Sequence, residues 1–475
     1  MPYNIRIVGT YPPRRCGVGT FSRDLANALE HFTGEVGHIR VAAIDKEKLP
    51  YDIPVDLVIN QYNPQSWQNT AKDIITRAKE GLNRTVILLQ HEYGLDPNEK
   101  GMDGEGINYV NMAKIFAEKG LTTLVYLHTV LDNPNEHQRK VIQDLVHYSH
   151  SLIVTTESAI QILHSPLYGI SHDKLKHIDH GIRMHHPSHF DRLLIKEKYG
   201  LKNRFLLTTI GLLSPDKGIQ YGIRGFGRFI TESLTQQQRD SIVYLIGGQC
   251  HPEFAKSESN ESYRLFQQTL TEALEEKNLR WCRVNSLYGV EFDKYDVVFL
   301  DAFIEEKLLL ELYGATNVML LPYLNMQQIS SGILADTLGS GRAAVATKFR
   351  YALELIHSNQ KCPPGLVIGR HARGILVDSG EPSVEQIAQA LDYLVFNQPQ
   401  RLLMEKQAHQ RGYQMSWQNT AWALLQHIDF LTEEDQIHTG RGLTFKRENP
   451  SIYQRTESVR PHDSSGRERE VKSND

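Results

Sequence analysis

The sequence predicts an α/β protein made of two Rossmann-like, doubly wound parallel-sheet domains that face a cleft. Three observations predict it. Short apolar runs alternate with helical patterns from residue 5 to residue 155, as parallel strands joined by crossover helices do. The alternation begins again at Phe205, repeating the architecture of the first half without its sequence. Polar residues gather where the runs end, and open parallel sheets bind their ligands at those ends.

Residues 5–9 (IRIVG) form the first strand. It breaks at Thr10-Tyr11-Pro12-Pro13 and passes Arg14, Arg15, Cys16, Gly17 and Gly19 into a helix with Phe21, Leu25, Ala28 and Leu29 on one face. A glycine loop at this point suits close approach of a phosphate or sugar, or serves only as a helix cap. Gly17-x-Gly19 is not GxGxxG, because Ser22 holds the third place; that counts against an ordinary dinucleotide fold. Strands follow at residues 39–44, 57–61, 86–90, 124–128 and 152–155, with helices at 66–81, 107–119 and 136–148. Their ends carry Gln61-Tyr62-Asn63, His91-Glu92-Tyr93-Gly94, His128-Thr129 and Thr155-Thr156-Glu157-Ser158. Such ends in register mark a lined cleft, with His91 and His128 as candidates for it. His91-Glu92 lacks the second histidine of HExxH, which excludes that zinc protease chemistry. Residues 94–106 (GLDPNEKGMDGEG) read as a mobile loop over the cleft or as a solvated connection.

His180-Gly181-Ile182 ends another short strand. Residues 184–190 (MHHPSHF) read as a linker between domains. His185, His186 and His189 have no matching fourth metal ligand, and Pro187 breaks any helix. In the second half, strands are expected at residues 205–210, 242–246, 297–300, 318–321, 343–346 and 375–377. Residues 211–218 (GLLSPDKG) form a loop before a helix at 222–230. Residues 321–347 (LPYLNMQQISSGILADTLGSGRAAVAT) read as strand, loop, helix and strand. Free N–H groups and the helix dipole make the loop holding Ser330, Ser331 and Gly332 an anion site. Helices at 383–396, 399–415 and 417–431 close the fold, and the polar, charged stretch after Thr432 reads as a disordered tail.

Composition narrows the class further. The chain has 475 residues, enough for two or three domains, and its 40% hydrophobic content supplies two cores. A formal net charge of −4 argues against a general nucleic-acid surface. Cys16, Cys250, Cys282 and Cys362 form no CxxC pair and read as reduced cytosolic thiols. With no leader and no apolar run of membrane-spanning length, a cytoplasmic protein is expected; peripheral contact with a membrane surface is compatible with the composition.

Taken in order, the motifs resemble those of the retaining GT-B glycosyltransferases, in particular the glycosyltransferase group 1 family (family 4). The resemblance covers most of residues 1–431. Residues 12–21 (PPRRCGVGTF) resemble that family's glycine loop. His91-Glu92-Tyr93-Gly94 and Leu127-His128-Thr129-Val130 resemble its strand-end histidine segments, and His180-Gly181-Ile182 its pre-hinge Asn/His-Gly-Ile. Residues 211–218 resemble the Gly-Arg-Leu-x-x-x-Lys-Gly loop, and residues 336–347 resemble Glu-Ala-x-x-x-Gly-x-Pro-Val-Val-Ala-Thr. Two departures stand out. Leu212 replaces the loop arginine, and the family's Glu-x7-Glu pair falls on Gln328 and Asp336. A subset of bacterial members has Gln-Ile-Ser-Ser-Gly at that place.

The resemblance implies an acceptor-side domain at 1–190 and a donor-side domain at 191–398. It also implies C-terminal helices at 399–431 that cross back to the first domain. It implies transfer of a hexose from a nucleotide-diphosphate sugar to a hydroxyl of a carbohydrate or lipid-linked acceptor, with retention, without a metal and without any cofactor beyond the nucleotide sugar. Lys217 is the expected cation for the leaving diphosphate, helped by the Ser330, Ser331 and Gly332 amides. Asp336 is expected on the ribose, Gln328 and His128 on the sugar, and Gly17, Gly19 and His91 beside the substrate. Arg14 and Arg15 are available to replace the charge missing at Leu212. A non-catalytic sugar-nucleotide-binding protein on the same fold is the alternative that Leu212 and Gln328 favour. An epimerase, a phosphorylase or a dehydrogenase finds no matching residues.

Overall fold

A computed structural model describes residues 3–33, 39–81, 83–96, 106–184, 191–250, 261–357, 364–369 and 371–439. Most of the 94–106 loop, the histidine-rich stretch at 185–190, Cys362 and the chain from 440 onward lie outside the described residues. Met1–Leu431 form one compact unit.

Two seven-stranded parallel sheets organise it. The first contains β1 (Tyr3–Gly9), β2 (Ile39–Asp45), β3 (Val55–Asn60), β4 (Arg84–His91), β5 (Thr122–Leu127), β6 (Ser151–Val154) and β7 (Leu175–His177), in the order β3-β2-β1-β4-β5-β6-β7. The second contains β8 (Phe205–Ile210), β9 (Ile242–Gly247), β10 (Trp281–Val284), β11 (Val297–Leu300), β12 (Val318–Leu321), β13 (Ala343–Thr347) and β14 (Gly374–Val377), in the order β10-β11-β9-β8-β12-β13-β14. The central strands read as unbroken apolar runs because helices cover both faces. Every residue of β5 and of β9 is buried. Strand order reverses between β1 and β4 and between β8 and β12, which opens a crevice at the carboxyl end of each sheet.

Local chemistry explains several element boundaries. Asn135 and Gln138 form a reciprocal capping box that starts the helix Glu136–His147. Asn63 caps Pro64–Glu80, with Pro64 in the first helical position. Gly218 adopts φ 60°, and a Cβ there would meet Pro322 O at 2.0 Å, so the loop after β8 can lie against the end of β12 only with glycine.

Some elements differ from expectation. The strand expected to end at residues 180–182 lies earlier, at Leu175–His177, and Ile182 instead makes an isolated bridge to Ser416. β10 was not expected: it alternates exposed and half-buried residues at a sheet edge, so it lacks the apolar run of a central strand. The helices Glu157–His164, Arg192–Lys198, Glu261–Glu276 and Glu306–Ala315 also go beyond the sequence reading.

The chain passes between the sheets twice, and the two crossings lie side by side. Ile182 N donates to Met415 O at 2.7 Å, Trp417 N donates to Ile182 O, and Arg411 pairs with Asp179 at 2.8 Å. A Cβ on Gly181 would fall 2.1 Å from the Trp417 ring, so the crossings touch without a side chain between them. Beyond this point Trp417, Ala421, Leu424, Leu425 and Ile428 pack with Tyr3, Ile5, Phe21 and Leu25 of the first sheet's layer.

Candidate functional site

The carboxyl ends of the two sheets meet across a cleft of about 230 Å³. Glu92, His128, Thr129 and Leu131 line one wall, and Asn325, Gln327, Gln328, Ile329 and Ser330 line the other.

The first wall grows from β4 and β5. His128 follows the last residue of β5, and its N–H donates to His91 O at 3.1 Å, which extends the sheet by one rung. Its ring stacks on Tyr126 and meets Phe21 edge-on. His128 Nε2 lies 2.7 Å from Gln90 Oε1, an acceptor, so Nε2 carries the proton and Nδ1 keeps a lone pair. Burial, with His180 and His91 nearby, lowers its pKa to about 3, so the imidazole is neutral at physiological pH. Glu92 sits beside it. Its Oε2 accepts from Thr129 Oγ1 at 2.8 Å and its Oε1 from Tyr93 N at 3.1 Å. Burial raises the Glu92 pKa above the usual carboxylate range, against the pull of these two bonds.

His91 is placed differently from the expectation that it touches substrate. The ring is fully buried and packed edge-on against Tyr93 and Tyr109, and neither nitrogen has a partner among the described residues. Burial lowers its pKa to about 4. The physical reason is strand alternation: successive side chains point to opposite sides, so the residue that reaches the cleft is Glu92. The segment His91-Glu92-Tyr93 does end at the cleft, and its orientation cannot be read from one strand alone.

The second wall is the loop after β12. Ile329 leaves this loop to join the hydrophobic core under the first sheet, where it is 1% exposed. Thr155 Oγ1 donates to Ile329 O at 2.8 Å and Ser330 Oγ lies 3.5 Å from His128 O, so both hydroxyls bridge the walls. Gln328 Nε2 donates to Ser330 O at 2.7 Å, which leaves its carbonyl oxygen for another partner. Ser331 caps the helix Gly332–Gly339 by accepting from Leu334 N. The first-turn amides at Gly332 and Ile333 have no intrahelical acceptor and are suited to an anion. Glu354 accepts from the Glu157 and Ser158 amides, both at 2.9 Å, and Arg350 pairs with Asp132, so the lobes are joined beyond the cleft as well.

Lys217 ends the short turn Pro215–Lys217, and its Nζ lies 3.9 Å over the ring of Tyr323. Tyr323 stacks in turn on Phe349. The loop of Lys217 begins near the start of that helix, since a Cβ on Gly211 would sit 3.7 Å from Ile333 Cγ1.

Asp336 faces the crossing segment: its Oδ1 accepts from Arg183 N at a long 3.5 Å. Burial raises its pKa to about 7, opposed first by Arg183. Arg183 also bonds Asp24 at 2.7 Å and approaches Glu306 at 3.4 Å, so it ties both lobes at the cleft's edge. Nothing in the sequence marked Arg183, whose partners are far along the chain.

The two arginines of the first glycine loop part company. Arg14 is buried and donates to Ile44 O at 3.0 Å and Gln61 Oε1 at 2.8 Å; it ties β2 to the residue after β3 and is removed from the list of free cations. Arg15 is exposed and lies 4.2 Å over Phe303 of the second lobe. Gly17 is open, while a Cβ on Gly19 would crowd Arg14 O and Cys16 Sγ at 3.4 Å. Among the described residues, no group of His, Cys, Asp and Glu is arranged to hold a metal ion, and no helix is long and apolar enough to cross a membrane.

Solved structures share this architecture. Anabaena HepE in complex with UDP superposes with a TM-score of 0.62 at 14% identity, covering 90% of this chain and 100% of that one. The UDP-forming α,α-trehalose-phosphate synthase of Burkholderia xenovorans gives 0.61 at 13%, covering 90% and 99%. A glycosyltransferase of Rickettsia africae gives 0.61 at 13%, covering 91% and 99%. At these identities the likeness shows the fold, which is GT-B. No protein-family model and no curated protein matches the chain.

Proposed function

We propose that this protein is a retaining GT-B glycosyltransferase of the group 1 (family 4) kind. It transfers a hexose from a nucleoside diphosphate sugar to a hydroxyl of a carbohydrate or lipid-linked acceptor. The observation that supports this most is the asymmetry around the cleft: the loop of one wall runs from Tyr323, which carries Lys217 on its ring, to the helix start after Ser331, and the other wall offers a neutral imidazole and a half-buried carboxyl. In the reaction the bond from the anomeric carbon to the diphosphate oxygen breaks. A bond to the acceptor oxygen forms, and the acceptor proton leaves with the diphosphate or to solvent. Negative charge grows on the diphosphate, where Lys217 and the Gly332 and Ile333 amides stabilise it. His128 Nδ1 accepts from a sugar hydroxyl, and Gln328 Oε1 does the same from the opposite wall. Asp336 accepts from the ribose. Glu92 holds the acceptor hydroxyl. HepE was solved in complex with UDP and the trehalose-phosphate synthase is UDP-forming, so UDP-hexoses are the first donors to test.

Two substitutions support a second reading, in which the same site binds a sugar nucleotide without turnover. Leu212 lacks the cation that the resemblance places there, and Gln328 carries no charge. A thermal-shift panel of UDP-, GDP- and ADP-sugars, followed by donor hydrolysis and transfer assays, separates the readings. Stabilisation with hydrolysis or transfer is the expected outcome. Stabilisation alone supports the binding protein, and no stabilisation by any sugar nucleotide removes both.

A further inference from the structure

The amino-terminal edge of the second sheet, at the opposite strand ends from the cleft, holds a buried excess of positive charge. Arg192 and Lys196 lie on the helix Arg192–Lys198, Arg342 directly precedes β13, and Arg401 lies on the helix Gln398–Gln414. One carboxylate stands among them. Arg192 Nη2 bonds Glu405 Oε2 at 3.0 Å, Arg342 Nη1 is 4.0 Å from that oxygen, and Arg401 Nε is 3.7 Å from Glu405 Oε1. Asp191 is already engaged as the cap of the Leu193 and Leu194 amides. Among the described residues, Lys196 Nζ donates to two neutral acceptors, Arg204 O and Asn317 Oδ1. Burial, reinforced by the three arginines, lowers the Lys196 pKa to about 7.

Helix ends offset part of the charge. Arg342 donates to Tyr313 O and Gly314 O at the carboxyl end of Glu306–Ala315, and Arg401 donates to Leu394 O near the end of Pro382–Phe396. Each helix carboxyl end carries roughly half a negative charge. With Lys196 about half protonated at neutral pH, the four groups set against one carboxylate and two such ends leave a surplus of about one and a half positive charges. Among the described residues, Arg192 Nε and Arg401 Nε are buried without a hydrogen-bond acceptor, as Glu405 Oε1 is without a donor, and Arg401 is only 7% exposed. A buried charge without a counter-charge is costly, so a matching anion gains from binding here.

We infer that Arg192, Lys196, Arg342 and Arg401 form a binding site for a small phosphate anion, either inorganic phosphate or a phosphomonoester. A phosphate group carries about one and a half to two negative charges at neutral pH, enough to offset the surplus. Arg192, the most exposed of the three arginines, receives it. The site is separate from the cleft and stands whether or not the cleft transfers sugar.

The test is thermal unfolding of the full chain with inorganic phosphate or glycerol 3-phosphate, against chloride at matched ionic strength. Lys217→Ala serves as the background that weakens phosphate binding in the cleft. Phosphate is expected to raise the midpoint by about 4 °C in the full chain and in Lys217→Ala. Arg192→Gln is expected to reduce that rise below about 1 °C. Glu405→Gln removes the internal counter-charge; it lowers the midpoint without phosphate and enlarges the rise with it. The probe with the larger rise identifies the source, free phosphate or phosphomonoester. No rise over chloride, an undiminished rise in Arg192→Gln, or an unchanged rise in Glu405→Gln would overturn the site. If Arg192→Gln does not fold, the Glu405→Gln result decides.

Discussion

The two walls of the cleft are built alike and carry opposite chemistry. Each is a parallel strand running into a loop at a topological switch of its sheet. On the first wall, burial keeps His128 neutral and raises the pKa of Glu92. On the second, Lys217 rests on an aromatic face and Ser331 starts a helix whose first amides are open to an anion. The difference teaches that burial, not residue type, sets the charge of a wall. A pair of histidines looks like positive charge in sequence, yet both rings are neutral in the fold.

The largest expected effect tests that division. Lys217→Ala should lower kcat for donor hydrolysis or transfer by about 10²- to 10³-fold, the usual cost of losing one preorganised charge-stabilising group. Activity within threefold of wild type would place the cation elsewhere. Glu92→Gln keeps the shape of the first wall and removes its carboxyl. A fall in kcat of about 10- to 100-fold with an unchanged donor KM is expected. An equal loss of donor affinity would move Glu92 to the nucleotide side.

A third prediction concerns the neutral rings themselves. Unfolded imidazoles take up protons below about pH 6.5. The folded His91 and His128 resist protonation down to about 4 and 3, so between these limits the unfolded chain binds more protons. Stability is therefore lost as pH falls from about 6.5 toward 4. His91→Leu should flatten the fall of the unfolding midpoint between pH 7.5 and 4.5, and an unchanged slope would show that the ring is not held neutral. The smallest effect is expected from Arg15→Ala. An exposed charge contributes about 0.2–1 kcal/mol, which corresponds to a loss of UDP affinity of roughly fivefold at most. No change would leave Arg15 as a stacking partner of Phe303 only.

Much of the fold was legible because a parallel sheet writes itself locally. The runs at residues 86–89 of β4, 124–127 of β5 and 318–321 of β12 are apolar on both faces, and the strands are separated by lengths that crossover helices fill. Two of the elements that go beyond the sequence reading are short or one-sided: β10 alternates at an edge, and Glu157–His164 spans eight residues; Glu261–Glu276, at sixteen residues, is not short. The site was legible as segments and not as side chains. The segment His91-Glu92-Tyr93 was found, yet which of its residues faces the cleft depended on strand register.

The sequence by itself determined the alternating architecture, the strand-end segments, the lysine loop and the helix start at Ser331. Each of these follows from local patterns of polarity, glycine and capping that act within a few residues. Only the tertiary structure decided the state and partners of those groups. It buried Arg14 against Ile44 and Gln61, neutralised His128, placed Ile329 in the opposite core, and gathered four cations around Glu405. These outcomes depend on desolvation and on charges brought together from distant parts of the chain. Spacing along the sequence does not encode either quantity.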